Sequence, residues 1–230
     1  MKINYQKELD RTLDEVKKRS GPPGLLLHSC CAPCSSYVLE YLSDYFAITV
    51  FYYNPNITDE AEYRRRTAEQ RRLIEELPVR YPVSFLEGRY EPDRFLQMAH
   101  GLEAVPEGGE RCRRCFALRL SETAKMAEEG QFDYFTTTLT ISPLKNAAVL
   151  NEIGEQTAKT CQHTFFLHSD FKKRNRYKRS VELSQMYGLY RQDYCGCIFS
   201  KRERERQKAG AVQKNSPCTD DDVRSKSVQV

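Results

Sequence analysis

A chain of 230 residues, 40% of them hydrophobic, is long enough for one domain with a proper core, and no stretch approaches the roughly 18 apolar residues of a membrane helix. The net charge of +4 is too small to attract polyanions globally, so any nucleic-acid surface has to be local. Nine cysteines, with no apolar leader in Met1–Tyr5, point to a reducing, cytoplasmic setting in which thiols serve metals or catalysis rather than a disulfide framework.

In chain order, residues 1–23 form an N-terminal extension whose polar helix, Lys7 to Lys18, ends at Gly21-Pro22-Pro23. Gly24-Leu25-Leu26-Leu27-His28 reads as a strand, followed by Ser29-Cys30-Cys31-Ala32-Pro33-Cys34-Ser35 and a helix over roughly 35–43. Pro33 suits a first helical turn, which would face the three cysteines with its N-terminus and favour their thiolates. Ala47–Tyr53 is a second strand, closed by Asn54-Pro55-Asn56, and Thr58 or Asp59 caps a charged helix reaching Leu77. A short strand at 83–86 and a short helix at 93–100 lead to a Pro/Gly loop that delivers Cys112 and Cys115 to a helix over 113–129. A strand at 132–137, the hydroxyl-rich Thr136–Pro143 loop, a helix at 144–160 and a strand at 164–168 complete an alternating βα pattern. That alternation predicts an α/β fold with a parallel three-layer sheet over 24–206, and the polar residues of 207–230 read as a disordered tail.

Where a strand hands over to a helix, its last residues enter the crevice at the carboxyl edge of the sheet, where ligands bind in open α/β folds. Cys112-Arg113-Arg114-Cys115 has the spacing by which two thiolates grip one metal, and it also opens a helix. Cys30, Cys31, Cys112 and Cys115 can therefore supply four thiolates to a [4Fe–4S] cluster or a zinc ion; adjacent cysteines diverge, which suits two irons of a cluster better than one small ion. Cys195-Gly196-Cys197 can close a very small ring through glycine's backbone freedom, as a labile redox pair would. Cys161 reads as a core residue and Cys218 as an inert tail residue.

The run from Phe171 to Arg179 holds six cations, Lys172, Lys173, Arg174, Arg176, Lys178 and Arg179, with Tyr177 among them and no intervening acid. It can seat phosphates and stack an unpaired base, or simply be a solvated charged face. Arg64 lies in a helix rich in Glu, mostly a salt-bridged face, but follows the Asn54-Pro55-Asn56 turn closely enough for Asn54, Asn56 and Arg64 to border the site.

Taken together, His28–Ser35, Phe51–Ile57, Glu110–Cys115, Thr137–Pro143 and Tyr190–Cys197 resemble the motifs of the QueH type of epoxyqueuosine reductase, over about residues 24–202. The resemblance implies a Rossmann-like fold similar to PP-loop proteins, with cysteines in place of the phosphate loop, so ATP is not expected. It implies reduction of epoxyqueuosine to queuosine at the wobble position of a tRNA with a GUN anticodon, at the expense of an unidentified electron donor. By the same resemblance Cys30, Cys31, Cys112 and Cys115 ligate [4Fe–4S], Cys195 and Cys197 form the redox-active pair, and Cys34 or Asp193 is a conceivable ligand of an additional iron. Thr138, Thr140 and Ser142 are then placed to hydrogen-bond a polyhydroxylated cyclopentane ring. Removing an epoxide oxygen needs two electrons, which clusters give singly and a dithiol gives as a pair. An iron–sulfur tRNA thiolase, which would need the missing ATP loop, and a zinc-stabilised RNA-binding module are the alternatives.

Overall fold

A computed structural model describes residues 3–214, with side chains through residue 210. Five parallel strands, β1 (Gly24–His28), β2 (Ala47–Tyr52), β3 (Val83–Glu87), β4 (Tyr134–Thr137) and β5 (Phe165–Phe166), lie in the order β3-β2-β1-β4-β5. The expected α/β three-layer parallel sheet is present. Each central strand alternates its apolar residues between two cores. Leu25, Leu27, Ile48 and Val50 face α1 (Tyr5–Val16), α2 (Ala32–Leu42) and α3 (Glu60–Glu76). Leu26, Phe51 and Phe135 face Ala124 and Ala127 of α5 (Glu110–Glu129). The short helix α4 (Pro92–Ala99) packs beside α5, and α6 (Ala147–Ala158) follows it on the same side. Gly154 lets α6 approach β5: a Cβ there would collide with the Phe166 ring.

The chain builds outward from β1 to β3 and then returns to β4 on the other flank of β1. The carboxyl ends of β1 and β4 are therefore the switch point at which open α/β sheets bind ligands. His28 is in register with Phe51 on one side and Thr137 on the other. The cysteine loop after β1 thus faces the threonine loop after β4, which forms a single 3-10 turn, Thr138–Ile141.

Four elements differ from expectation. The helix predicted at 144–160 begins at Ala147, because Asn146 accepts hydrogen bonds from the Ala148 and Val149 amides and so caps it there. The last strand shrinks to Phe165–Phe166 at the sheet edge. The N-terminal extension is part of the domain: Leu9, Leu13 and Val16 form a buried stripe in the main core. Finally, α8 (Ile198–Lys214) runs through Gln207, where a disordered tail was expected to begin. Low hydrophobicity suggested disorder, but Arg, Lys, Glu and Gln are strong helix formers, and Asp193 grips the helix through Lys208 at 2.6 Å and Arg204 at 3.4 Å. The rest of the expected tail, with Cys218, lies outside the described residues. Among those residues, no helix is long and apolar enough to cross a membrane.

Because Leu9 is fully buried, Leu9→Ala should lower stability by about 2–5 kcal/mol. Urea unfolding followed by far-UV circular dichroism checks this, and a loss below about 1 kcal/mol would mean that α1 is only a surface addition.

Candidate metal and redox centre

Three cysteine groups converge on the switch point. Cys30 follows β1, Cys31 is the extended N-cap residue of α2, and Cys34 lies in the first turn with Pro33 beside it. Their sulfurs lie within 4.8 Å of one another, close enough to hold one metal ion. Cys30 Sγ is 3.8 Å from Cys31 Sγ and accepts a hydrogen bond from Thr138 Oγ1 at 3.6 Å. The Cys30 amide donates to the same threonine hydroxyl oxygen at 3.3 Å. Thiol hydrogen bonds from Cys31 and Cys34, then Lys145 and Thr138, hold Cys30 well below the ordinary thiol range, while donating to Cys30 raises Cys31 to about 12 and pushes Cys34 up as well. Cys30 is thus the thiol favoured to ionise, and a thiophilic metal would displace the protons of the others.

On the other side, Cys112 and Cys115 occupy successive turns at the start of α5, with the Gly108 amide donating to Cys112 Sγ at 3.2 Å. Burial raises both thiols, Cys115 to about 12. Cys112, Cys115, Cys195 and Cys197 line a small cavity of about 20 Å³. A larger cavity, about 360 Å³, opens above Cys30, Cys31 and Cys34, and Cys195 borders this one too. Cys195 is the link between the two halves. Its carbonyl accepts from Asn56 Nδ2 at 3.4 Å and Arg66 Nη1 at 3.3 Å. Gly196 is left-handed, with φ +115°, and a Cβ would come within 2.8 Å of Ile57, so glycine is required to fit Cys195 and Cys197 together. All eight cysteines among the described residues are free.

The centre rests on a neutral polar frame. His28 is buried without charge, its pKa lowered to about 3 by desolvation and by Arg119. Its Nε2 donates to the Tyr53 carbonyl and its Nδ1 accepts from Thr137, whose hydroxyl oxygen also receives the Leu139 amide. The Ser29 and Ser35 hydroxyls, one from each side of the cysteine loop, both reach Gln70 Oε1.

Several expected contact residues are used internally. Asn54 donates to the Ser29 carbonyl at 2.8 Å and Asn56 to Cys195; both are buried and position cysteine loops instead of facing a substrate. Thr138 supports Cys30, and Thr140 pairs with Ser169 at 2.9 Å; both are fully buried, whereas Ser142 reaches the large cavity. Arg64 pairs with Glu60 on the exposed face of α3. In the basic run, Lys172 pairs with Asp170, Arg174 with Asp10 and Arg179 with Glu40, while Arg176 is buried against Gln6 and the Tyr41 ring. Lys173 and Lys178 stay exposed without an ion-pair partner among the described residues, and Tyr177 borders the large cavity at the start of α7 (Arg176–Met186). Asp193 also lines that cavity while holding Lys208 and Arg204.

Residues that the motifs did not single out complete the centre. Lys145, in the wall of the large cavity, stays positively charged through Cys195, Cys30 and Cys34 despite the opposing cost of burial. Leu144 stands 80% exposed at the rim. Arg66, Arg111 and Arg119 are buried around the cysteines, and each has one guanidinium nitrogen without a partner among the described residues. Cationic groups turned inward on a cluster of thiols fit a negatively charged metal–sulfur group, which the soft donor set also favours.

A family model described as Epoxyqueuosine reductase QueH matches residues 25–203. A protein of Streptococcus pyogenes serotype M1 with that name is 44% identical over 203 residues, covering 87% of this chain and 79% of its own. Its namesakes from Staphylococcus epidermidis and Staphylococcus aureus are 42% and 41% identical over 203 residues, each covering 86% of this chain and 85% and 84% of their own.

Proposed function

The chain belongs to the epoxyqueuosine reductase QueH family, and on that premise we propose that it reduces epoxyqueuosine in tRNA to queuosine, with Cys30, Cys31, Cys112 and Cys115 holding a [4Fe–4S] cluster. The supporting observation is the meeting of three cysteine groups at one crevice, with Cys195 on the wall of both cavities. Converting the epoxide to the alkene consumes two electrons and two protons and releases water. Such a cluster supplies single electrons at low potential.

The chain's own residues provide the rest. Cys195 and Cys197 are a dithiol able to give two electrons and two protons by closing a disulfide. Lys145 places a positive charge beside the leaving oxygen, and the Ser142 hydroxyl is available to the hydroxylated ring. An anticodon-loop base is already unpaired, so the enzyme has no duplex to open. Tyr177 offers it a ring at the cavity mouth, and Lys173 and Lys178 are the free cations for the neighbouring phosphates. Cys34, within reach of Cys30 and Cys31, is better placed than the ion-paired Asp193 for an additional iron.

The test is anaerobic incubation of iron–sulfur-loaded protein with epoxyqueuosine-containing tRNA and a chemical reductant, followed by nucleoside mass analysis. Conversion to queuosine is expected, from protein carrying iron and inorganic sulfide. Loaded protein that leaves the epoxide intact would refute the assignment. Zinc in place of iron and sulfide, with tRNA binding alone, would indicate the RNA-binding module.

A further inference from the structure

Arg119 lies one turn beyond Cys115 on α5 and is fully buried. Its Nε donates to the Cys115 carbonyl at 3.4 Å and its Nη1 to Asn54 Oδ1 at 3.3 Å; Nη2, equally buried, has no partner among the described residues. The other two buried guanidinium groups are better provided for. Arg66 is ion-paired to Glu62 at 2.7 Å, and Arg111 donates to the carbonyls of Leu102, Glu103 and Val105. Arg119 has no carboxylate within ion-pair distance among the described residues, only two neutral acceptors.

A guanidinium group cannot shed its proton to escape burial, and an uncompensated buried charge is strongly unfavourable. Some negative charge must therefore lie beside it. The neighbouring groups that can carry one are sulfurs: Cys115, whose carbonyl Arg119 binds, and Cys112 on the same helix, Cys30 after β1, and Cys195.

We propose that Arg119 is the fixed counter-charge of the cysteine centre, a positioning residue that offsets the negative charge of the thiolates and their metal–sulfur group and thereby raises its reduction potential. This rests on the iron–sulfur reading given above. Asn54 ties the same guanidinium to the Ser29 carbonyl, next to Cys30, so the cation is fixed relative to both halves of the ligand set.

Reduction adds negative charge, which a nearby cation stabilises. Arg119→Met, measured in the loaded protein by spectroelectrochemical titration, should therefore have a midpoint potential more negative than wild type. Its thermal midpoint should drop further in the reduced than in the oxidised protein, while Arg119→Lys restores most of both. A merely structural arginine would lower the two thermal midpoints equally and leave the potential unmoved; that result overturns the proposal. So does a lysine variant as shifted as the methionine variant. If Arg119→Met fails to load, Arg119→Lys must load as wild type does, and failure of both would show that shape rather than charge is needed. Metal and sulfide analysis of the wild type separates the two claims. Should it hold zinc alone, the iron–sulfur reading falls, and Arg119 is then judged by zinc content: reduced in the methionine variant and normal in the lysine variant if it is the counter-charge, equal in both if it is not.

Discussion

Serine at Cys30, Cys31, Cys112 or Cys115 is expected to strip most of the iron from the protein and to lower reductase activity by more than about 100-fold, since even residues that merely orient metal ligands cost 10- to 100-fold. Cys31 is the N-cap residue of α2 with Cys30 just before it, and Cys112 and Cys115 lie in the first two turns of α5, so a helix start fixes the backbone that carries each sulfur. Cys34→Ser is the informative companion. Its sulfur is within 4.8 Å of Cys30 and Cys31, whereas Cys112 and Cys115 border the smaller cavity. Iron and sulfide assays on the five purified variants decide the ligand set. If Cys34→Ser loses its iron while Cys112→Ser and Cys115→Ser keep theirs, the metal sits on the Cys30, Cys31 and Cys34 triad alone.

Serine at Cys195 or Cys197 should have the opposite profile: iron nearly unchanged and multiple turnover abolished. Cys197 is buried at the start of α8, with its thiol pushed up by desolvation and its sulfur accepting the Ser200 amide at 3.4 Å. It suits a protonated reserve thiol, while Cys195 touches both cavities. Thiol counting by mass spectrometry, before and after one equivalent of substrate tRNA, should show two thiols consumed together. If both stay reduced through turnover and Cys197→Ser cycles normally, the pair has no redox role.

The strands at 24–28 and 47–53 were legible because a parallel strand covered on both faces is a short apolar run, and the start of α3 was legible because Asp59, one of its two cap candidates, accepts the Glu62 amide there. The partners of the basic run were not. Arg174 and Arg179 are neutralised by Asp10 and Glu40, residues far away in sequence, so a string of cations looked free when, among the described residues, only Lys173 and Lys178 have no ion-pair partner. Arg66 was hidden among Arg64, Arg65 and several glutamates, yet periodicity carried a signal: it falls on the stripe Tyr63, Thr67, Gln70 and Leu73 that α3 buries. Arg119 similarly follows Cys115 by one turn on the buried face of α5. A charged residue on an otherwise buried stripe is the pattern that would have marked both. The short apolar stripe of α1 and the polar helix α8 offered weaker patterns, because their anchoring contacts come from outside the helices themselves.

The distribution of the thiols along the chain also imposes a timetable on synthesis. Cys30, Cys31 and Cys34 leave the ribosome early, but β4, which flanks them, and Cys195, which links the two halves, are made much later. At roughly 5–20 residues per second the interval from Cys30 to Cys195 lasts on the order of ten to thirty seconds. Through that interval the nascent chain exposes the first triad without its enclosing walls, open to oxidation and to stray metals. Correct loading therefore belongs after chain completion, and maturation of this protein should depend on how long reducing conditions protect those first three thiols.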